Sequence, residues 1–184
     1  MSETLQETCV RLEHFETPEW AARAILNKEI LTHNVLDPCC GTGVLTEAAR
    51  HAGYDVWPID IQDWGFPCHI YDFLESQLDL SNATIFMNPP FSRAVEFVKK
   101  AFELGARKIV CFQRFAWYES AKRRPFWDKY PPNRIYICSD RATCYRNDLT
   151  EKQRKDMSNV PVAHAWFVWE RGNPAGTLLG YVSK

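Results

Sequence analysis

Val35-Leu36-Asp37-Pro38-Cys39-Cys40-Gly41-Thr42-Gly43 is the stretch on which the fold turns. A short apolar run ends in an acid and passes through two glycines, and from Val44 to about Ala52 the pattern becomes helical. A strand that turns through glycines into a helix lets the backbone approach a ligand closely. A side chain at Gly41 or Gly43 would prevent that approach. The acid at the strand end, Asp37, is placed to accept hydrogen bonds from a cationic amine.

Working outward, the alternation of short apolar runs and helical stretches continues in both directions. Upstream, Thr17 stands as a helix N-cap with Pro18 at the first helical position, and Ala21, Ala22, Ala24, Ile25 and Leu26 fit a helical face. Downstream, 54–60, 84–87, 108–112, 134–138 and, last, 163–169 read as strands. Residues 92–104 read as a helix with Ala94, Val95, Phe97, Val98, Ala101, Phe102 and Leu104 on its apolar stripe. This pattern predicts an α/β fold: an open, mostly parallel sheet with helices on both faces. Ligands in such sheets bind at the carboxyl ends of the strands, where the connections diverge. The unusual residues of this sequence fall there.

Composition bounds the rest. A chain of 184 residues fits one domain, and apolar and aromatic fractions of 46% and 14% supply a core without any disordered segment. No apolar run reaches the roughly 18 residues of a membrane span, and no signal-peptide pattern opens the chain. A cytoplasmic protein with no membrane partner is expected. The seven cysteines (Cys9, Cys39, Cys40, Cys68, Cys111, Cys138 and Cys144) are odd in number and lack CxxC spacing. They read as reduced, mostly buried thiols, and no Cys/His cluster has zinc spacing, so no metal is expected. The net charge of −1 conceals an asymmetry. Residues 1–106 carry 7 Lys/Arg against 16 Asp/Glu, residues 107–146 carry 10 against 3, and the last 38 carry 5 against 4. The middle block either meets phosphates or covers solvated faces.

Two further segments carry chemistry. Asp60 ends the second strand, where one carboxylate suits both hydroxyls of a ribose; a solvated strand-end acid is the plainer alternative. Asn88-Pro89-Pro90-Phe91 follows a buried strand, and its prolines remove two backbone donors and fix the chain's direction. The Asn88 carboxamide and the Pro89 carbonyl are left to accept hydrogen bonds from one NH₂ group, with the Phe91 ring beside them. An amino group conjugated to a heteroaromatic ring is a poor nucleophile, and two acceptors on its hydrogens localise the lone pair. Phe91 would stack on the ring plane and hold it for in-line attack.

With Phe15-Glu16-Thr17-Pro18-Glu19-Trp20, Asp37 to Gly43, Asp60-Ile61, Asp72-Phe73 and Asn88 to Phe91 in hand, the sequence resembles class I S-adenosylmethionine-dependent DNA adenine-N6 methyltransferases of phage and prophage type. Pro131 to Tyr136 and Ala165 to Glu170 extend the likeness to about residue 170. The resemblance implies a Rossmann-like class I methyltransferase fold, forming one domain over 1–184, and S-adenosylmethionine as cofactor. It implies that Asp37 holds the methionine amine, that Gly41 and Gly43 make room for the cofactor body, and that Asp60 binds the ribose. Ile61 would pack on the cofactor adenine, Asp72 beside Phe73 would accept from its amino group, and Thr17 and Pro18 would close over the methionine end. Asn88, Pro89, Pro90 and Phe91 would be catalytic. A phage-encoded member would work in the bacterial host cytoplasm.

The basic and aromatic segment at about 114–133 is the candidate nucleic-acid contact, through Arg114, Lys122, Arg123, Arg124 and Trp127. The alternative is an amphipathic helix whose aromatics are core. The expected partner is DNA, either double-stranded with the base flipped out or single-stranded. Only 93 residues follow the catalytic motif, fewer than such enzymes usually give to target recognition, so a protein partner for sequence readout is also expected. The same Asn-Pro-Pro arrangement serves RNA amino groups and, usually with Tyr at its fourth position, glutamine amides of release factors. A binding module that kept the fold and lost the activity is the remaining alternative.

Overall fold

The computed structural model describes residues 15–146, 162–173 and 176–184. Cys9 lies outside them, and the other six cysteines are free thiols. In chain order the elements are β1 (Phe15–Glu16), α1 (Glu19–Leu26), β2 (Asn34–Asp37), α2 (Val44–His51), β3 (Asp55–Asp60), β4 (His69–Ile70), β5 (Ala83–Met87), α3 (Ala94–Glu103), β6 (Lys108–Arg114), α4 (Arg124–Lys129), β7 (Arg134–Cys138), β8 (Tyr145–Arg146), β9 (His164–Glu170) and β10 (Leu178–Val182).

Eight strands form one sheet in the order β10-β7-β9-β6-β5-β2-β3-β4, and β1 pairs with β8 in a separate antiparallel ribbon. Every pairing in the large sheet is parallel except those of β9, which runs antiparallel to both β6 and β7. The central strands are buried almost throughout, as expected where helices cover both faces. Because side chains alternate across a strand, the core divides in two. Leu36, Ile85, Met87, Ile109 and Phe167 face a layer that holds α3 and α4. Val35, Phe86, Val110 and Trp166 face α1 and α2, with Phe86 stacked on Trp166 at 5.2 Å. No helix among the described residues is long and apolar enough to cross a membrane.

From β2 the chain crosses to β3 on one side and then returns to β5 on the other. That reversal opens a crevice at the carboxyl ends of these strands. At the opposite ends, Glu29 is 3% exposed and takes ion pairs from Lys108 at 2.9 Å and Arg134 at 2.5 Å. Glu170 joins the same two cations at 3.3 and 2.6 Å. Burial alone would push the Glu29 carboxyl up, but the donors Arg134 and Lys108 outweigh it and hold it below its ordinary value.

Three sequence expectations change. Pro18, not Thr17, occupies the N-cap position of α1, and it caps through its carbonyl, which accepts from the Ala21 amide at 2.9 Å. Residues 115–129 form two 3-10 turns and the short α4 rather than one amphipathic helix. The strand through Glu170 is not the last: β10 adds to the sheet edge beside β7.

Candidate functional site

The crevice is a cleft of about 980 Å³, open to solvent, over the carboxyl ends of β2, β3 and β5. Its floor is the turn after β2. The Cys40 amide donates to the Ile59 carbonyl at 3.0 Å, tying the turn to β3, and Gly41 and Gly43 have φ of 53° and 87°. These left-handed values suit glycine. Gly43 sits directly before α2 and has a second constraint, since a Cβ there would lie 2.2 Å from the Phe66 ring.

Asp60, 6% exposed at the end of β3, organises the rim. Its Oδ2 accepts from the Gly41 amide at 2.9 Å, and its Oδ1 from the Gln62 amide at 3.0 Å and Trp64 Nε1 at 3.2 Å. Three of about four acceptor positions on the carboxylate are therefore used, and the remaining one is on Oδ2. Ile61 is half exposed on the cleft wall, and Phe73, also on the lining and only 1% exposed, stacks on Phe97 at 5.6 Å. Asp72 lines the cleft beside Phe73 and uses Oδ1 to cap the next turn through the Leu74 amide at 2.9 Å.

Across the cleft, Glu16 accepts from the Thr42 hydroxyl, joining β1 to the glycine turn. Thr17 is buried with its Oγ1 lacking any hydrogen-bond partner, although it lines the cleft. Asn88 donates Nδ2 to the Phe15 carbonyl at 2.7 Å, while its Oδ1 is buried without a partner. The Pro89 carbonyl accepts from Gln113 Nε2 at 3.3 Å. Two orphaned oxygens at one cleft are a costly arrangement unless a ligand completes them.

Three expected cofactor residues, Pro18, Asp37 and Gly43, are not on the lining of the cleft. Pro18 belongs to the start of α1. Asp37 is 1% exposed, and its Oδ2 accepts from the Thr46 hydroxyl at 2.8 Å while Oδ1 has no partner. Burial pushes its carboxyl up to about 7, against the lowering effect of the Thr46 hydroxyl.

The basic segment divides. Trp127 is buried with Trp117 and Phe126 and packs on Phe167 at 5.8 Å, so it is a core residue and not a nucleic-acid contact. Arg123 is partly exposed and holds its own turn: Nε donates to the Trp117 carbonyl at 2.7 Å, and NH2 to those of Ala116 and Glu119. Arg124 pairs with Asp128 at 2.7 Å on the surface, and Arg114, Lys122 and Arg124 are the exposed cations of the expected set. The sequence reading missed Glu16, Trp64 and Phe66. A tryptophan four residues after a strand-end acid was the available signal for Trp64.

No protein-family model matches the chain, and no curated protein matches it. Solved structures do. A candidate RNA methyltransferase from Pyrococcus horikoshii is similar at 18% identity and a TM-score of 0.55, over 86% of this chain and 87% of that one. A predicted O-methyltransferase from Agrobacterium tumefaciens is 11% identical with a TM-score of 0.51, covering 91% and 86%. A SAM-dependent methyltransferase from Archaeoglobus fulgidus is 15% identical with a TM-score of 0.50, covering 84% and 95%. Together with the sheet order and its one antiparallel strand, these likenesses give the chain a Rossmann-like class I methyltransferase fold.

Proposed function

We propose that this protein transfers the methyl group of S-adenosylmethionine to the exocyclic amino nitrogen of adenine in DNA. The observation that carries the reading is Asn88, whose Oδ1 is buried and unpartnered at the end of β5 while its Nδ2 is fixed by the Phe15 carbonyl at 2.7 Å. That bond fixes which end of the amide is nitrogen and leaves the oxygen end buried without a partner. Oδ1 is then a preorganised acceptor for one hydrogen of an NH₂ group. The Pro89 carbonyl has accepted one bond, from Gln113, and keeps a second acceptor position for the other hydrogen. Polarised between them, the amine nitrogen directs its lone pair outward and attacks. The nitrogen would gain a bond to the methyl carbon as the carbon–sulfur bond breaks and its electron pair stays on a neutral thioether, and the cationic amine would then shed one proton to solvent, so no strong base is required.

The cleft residues fit the cofactor. Asp60 Oδ2 has an acceptor position for one ribose hydroxyl, and Ile61, Asp72 and Phe73 form a wall with an apolar face and a carboxylate for the adenine. Thr17 Oγ1 is a buried polar group that the methionine end would satisfy. When bound, S-adenosylmethionine supplies an electrophilic methyl on a sulfonium. Burial raises the Asp37 carboxyl to about 7 in the free protein, and a cationic ligand beside the turn would favour its ionised form. Two of the similar solved structures carry SAM-dependent or RNA methyltransferase descriptions, which supports methyl transfer and leaves the substrate to the site. Between residues 107 and 146, Arg107, Arg114, Lys122, Arg124, Lys129 and Arg141 are exposed, which suits contact with a polyanion.

The test is incubation with labelled S-adenosylmethionine and, separately, unmethylated duplex DNA, single-stranded DNA and RNA, followed by digestion to nucleosides. Label in N6-methyladenine from DNA is the expected result. Label only in RNA would move the substrate. Calorimetric titration showing no binding of S-adenosylmethionine would overturn the cofactor.

A further inference from the structure

Phe91 receives the target ring in the reading above, yet its own ring is not open. Phe15 stacks on it with centroids 5.2 Å apart and planes 8° apart, and the Arg114 guanidinium carbon lies 4.9 Å from its centre. Its stacking positions are filled, so a planar substrate must displace one of these groups. Phe15 is anchored, because its carbonyl holds Asn88 and its strand β1 pairs with β8. Arg114 is the last residue of β6, is exposed, and has no carboxylate within ion-pair distance among the described residues. It is the movable group.

A second observation marks the same place. His164 faces Arg114 in the β6–β9 register, is 3% exposed, and has neither ring nitrogen hydrogen-bonded. Its ring stacks on Phe112 at 5.2 Å and lies 6.1 Å from Phe91. Burial and then the Arg114 charge push it down to about 4, so it is neutral and offers one donor and one acceptor. Two unpartnered nitrogens beside an aromatic slot suit a heteroaromatic ring with polar edges and waste the burial on a plain apolar one.

The geometry points to Arg114 as a place-holder for the substrate ring: it covers Phe91 in the free protein, leaves when a planar base stacks there, and then meets the phosphate next to that base. The inference rests on the reading that Phe91 receives the target amine. It explains how one exposed arginine can shield an aromatic from water in the free state and serve a polyanion in the bound one. It also predicts effects of opposite sign on neutral and charged ligands, which a fixed wall or a simple phosphate anchor would not give.

The experiment fills the cofactor cleft with S-adenosylhomocysteine. It then measures adenosine by ligand-observed NMR, and a single-stranded oligo(dA) by fluorescence anisotropy, on wild type, Arg114→Ala and Phe91→Ala. Removing the competing guanidinium should tighten adenosine by about two- to fivefold in Arg114→Ala, the range expected for an exposed cation–π contact. The same variant should bind oligo(dA) more weakly and lose about 0.7 from its salt slope. Phe91→Ala should abolish adenosine binding at this site. Phe91-dependent adenosine binding that Arg114→Ala leaves unchanged or weakens would overturn the place-holder and leave the target reading standing. Absence of any Phe91-dependent adenosine binding would remove both.

Discussion

Replacing Asp37 by asparagine should stabilise the free protein, and by an amount that grows with pH. The carboxyl is 1% exposed with one oxygen unpartnered, and burial raises it from the ordinary 3.8 to about 7. Native Asp37 thus keeps its proton up to about pH 7, while the unfolded chain releases it near 4. Between those values the native state binds more protons than the unfolded one, so this group's contribution to stability falls as pH rises. A shift of about three units corresponds to about 4 kcal/mol at full ionisation, an upper figure for one buried group. Asparagine keeps an oxygen for the Thr46 hydroxyl and carries no charge to bury. Any cost of its extra amide is independent of pH and leaves the slope alone. Urea unfolding of both proteins at pH 4 to 8 gives the difference directly. Stability of Asp37→Asn minus wild type should climb between about pH 4 and 7 and level off above. A flat difference, or one that falls with pH, would refute the claim that this carboxylate is held at a cost.

Other expectations follow from single contacts. Gly43→Ala should lose about 1–2 kcal/mol from its φ of 87° alone and displace the Phe66 ring from the glycine turn. Cofactor affinity by calorimetry should drop with it, and adding Phe66→Ala should relieve the clash without removing the backbone cost. Glu29→Gln removes the more buried of the two carboxylates that Lys108 and Arg134 share, leaving Glu170, and should cost up to about 3 kcal/mol in urea unfolding. Because that cluster sits at the far ends of the strands, cofactor affinity in the folded variant should be unchanged. Lys122→Ala should reduce the slope of log affinity against log salt for duplex DNA by about 0.9, whereas Arg123→Ala should act mainly on stability by freeing three carbonyls.

The parts of this fold legible in the sequence are those where local chemistry and tertiary structure agree. The glycine turn after Asp37, the strand-end Asp60 and the Asn-Pro-Pro-Phe segment fall where the alternation of strands and helices puts them, at the carboxyl ends of β2, β3 and β5. The long central strands were readable because burial on both faces makes them continuously apolar. The misreadings have a common cause in nonlocal contact. Trp127 looks like a base-stacking residue among cations, and only the placement of Phe167 on β9 makes it core. Arg123 looks available until the turn that brings three carbonyls to it is seen. Thr17 has the chemistry of an N-cap, but Pro18 takes that position and the Thr17 hydroxyl is buried without a partner. β10 escaped because Leu178, Leu179 and Tyr181 are exposed at the sheet edge, so no buried face imposes a period of two.

The central claim is that Asn88 polarises the amine that receives the methyl group. Transfer of labelled methyl from S-adenosylmethionine to unmethylated DNA by wild type and Asn88→Ala tests it most directly, with cofactor binding and unfolding measured on the same preparations. Losing one preorganised contact of this kind costs about 10²–10³ in rate. The account predicts that fall in Asn88→Ala with cofactor affinity and fold intact. Transfer by Asn88→Ala at the wild-type rate would contradict it.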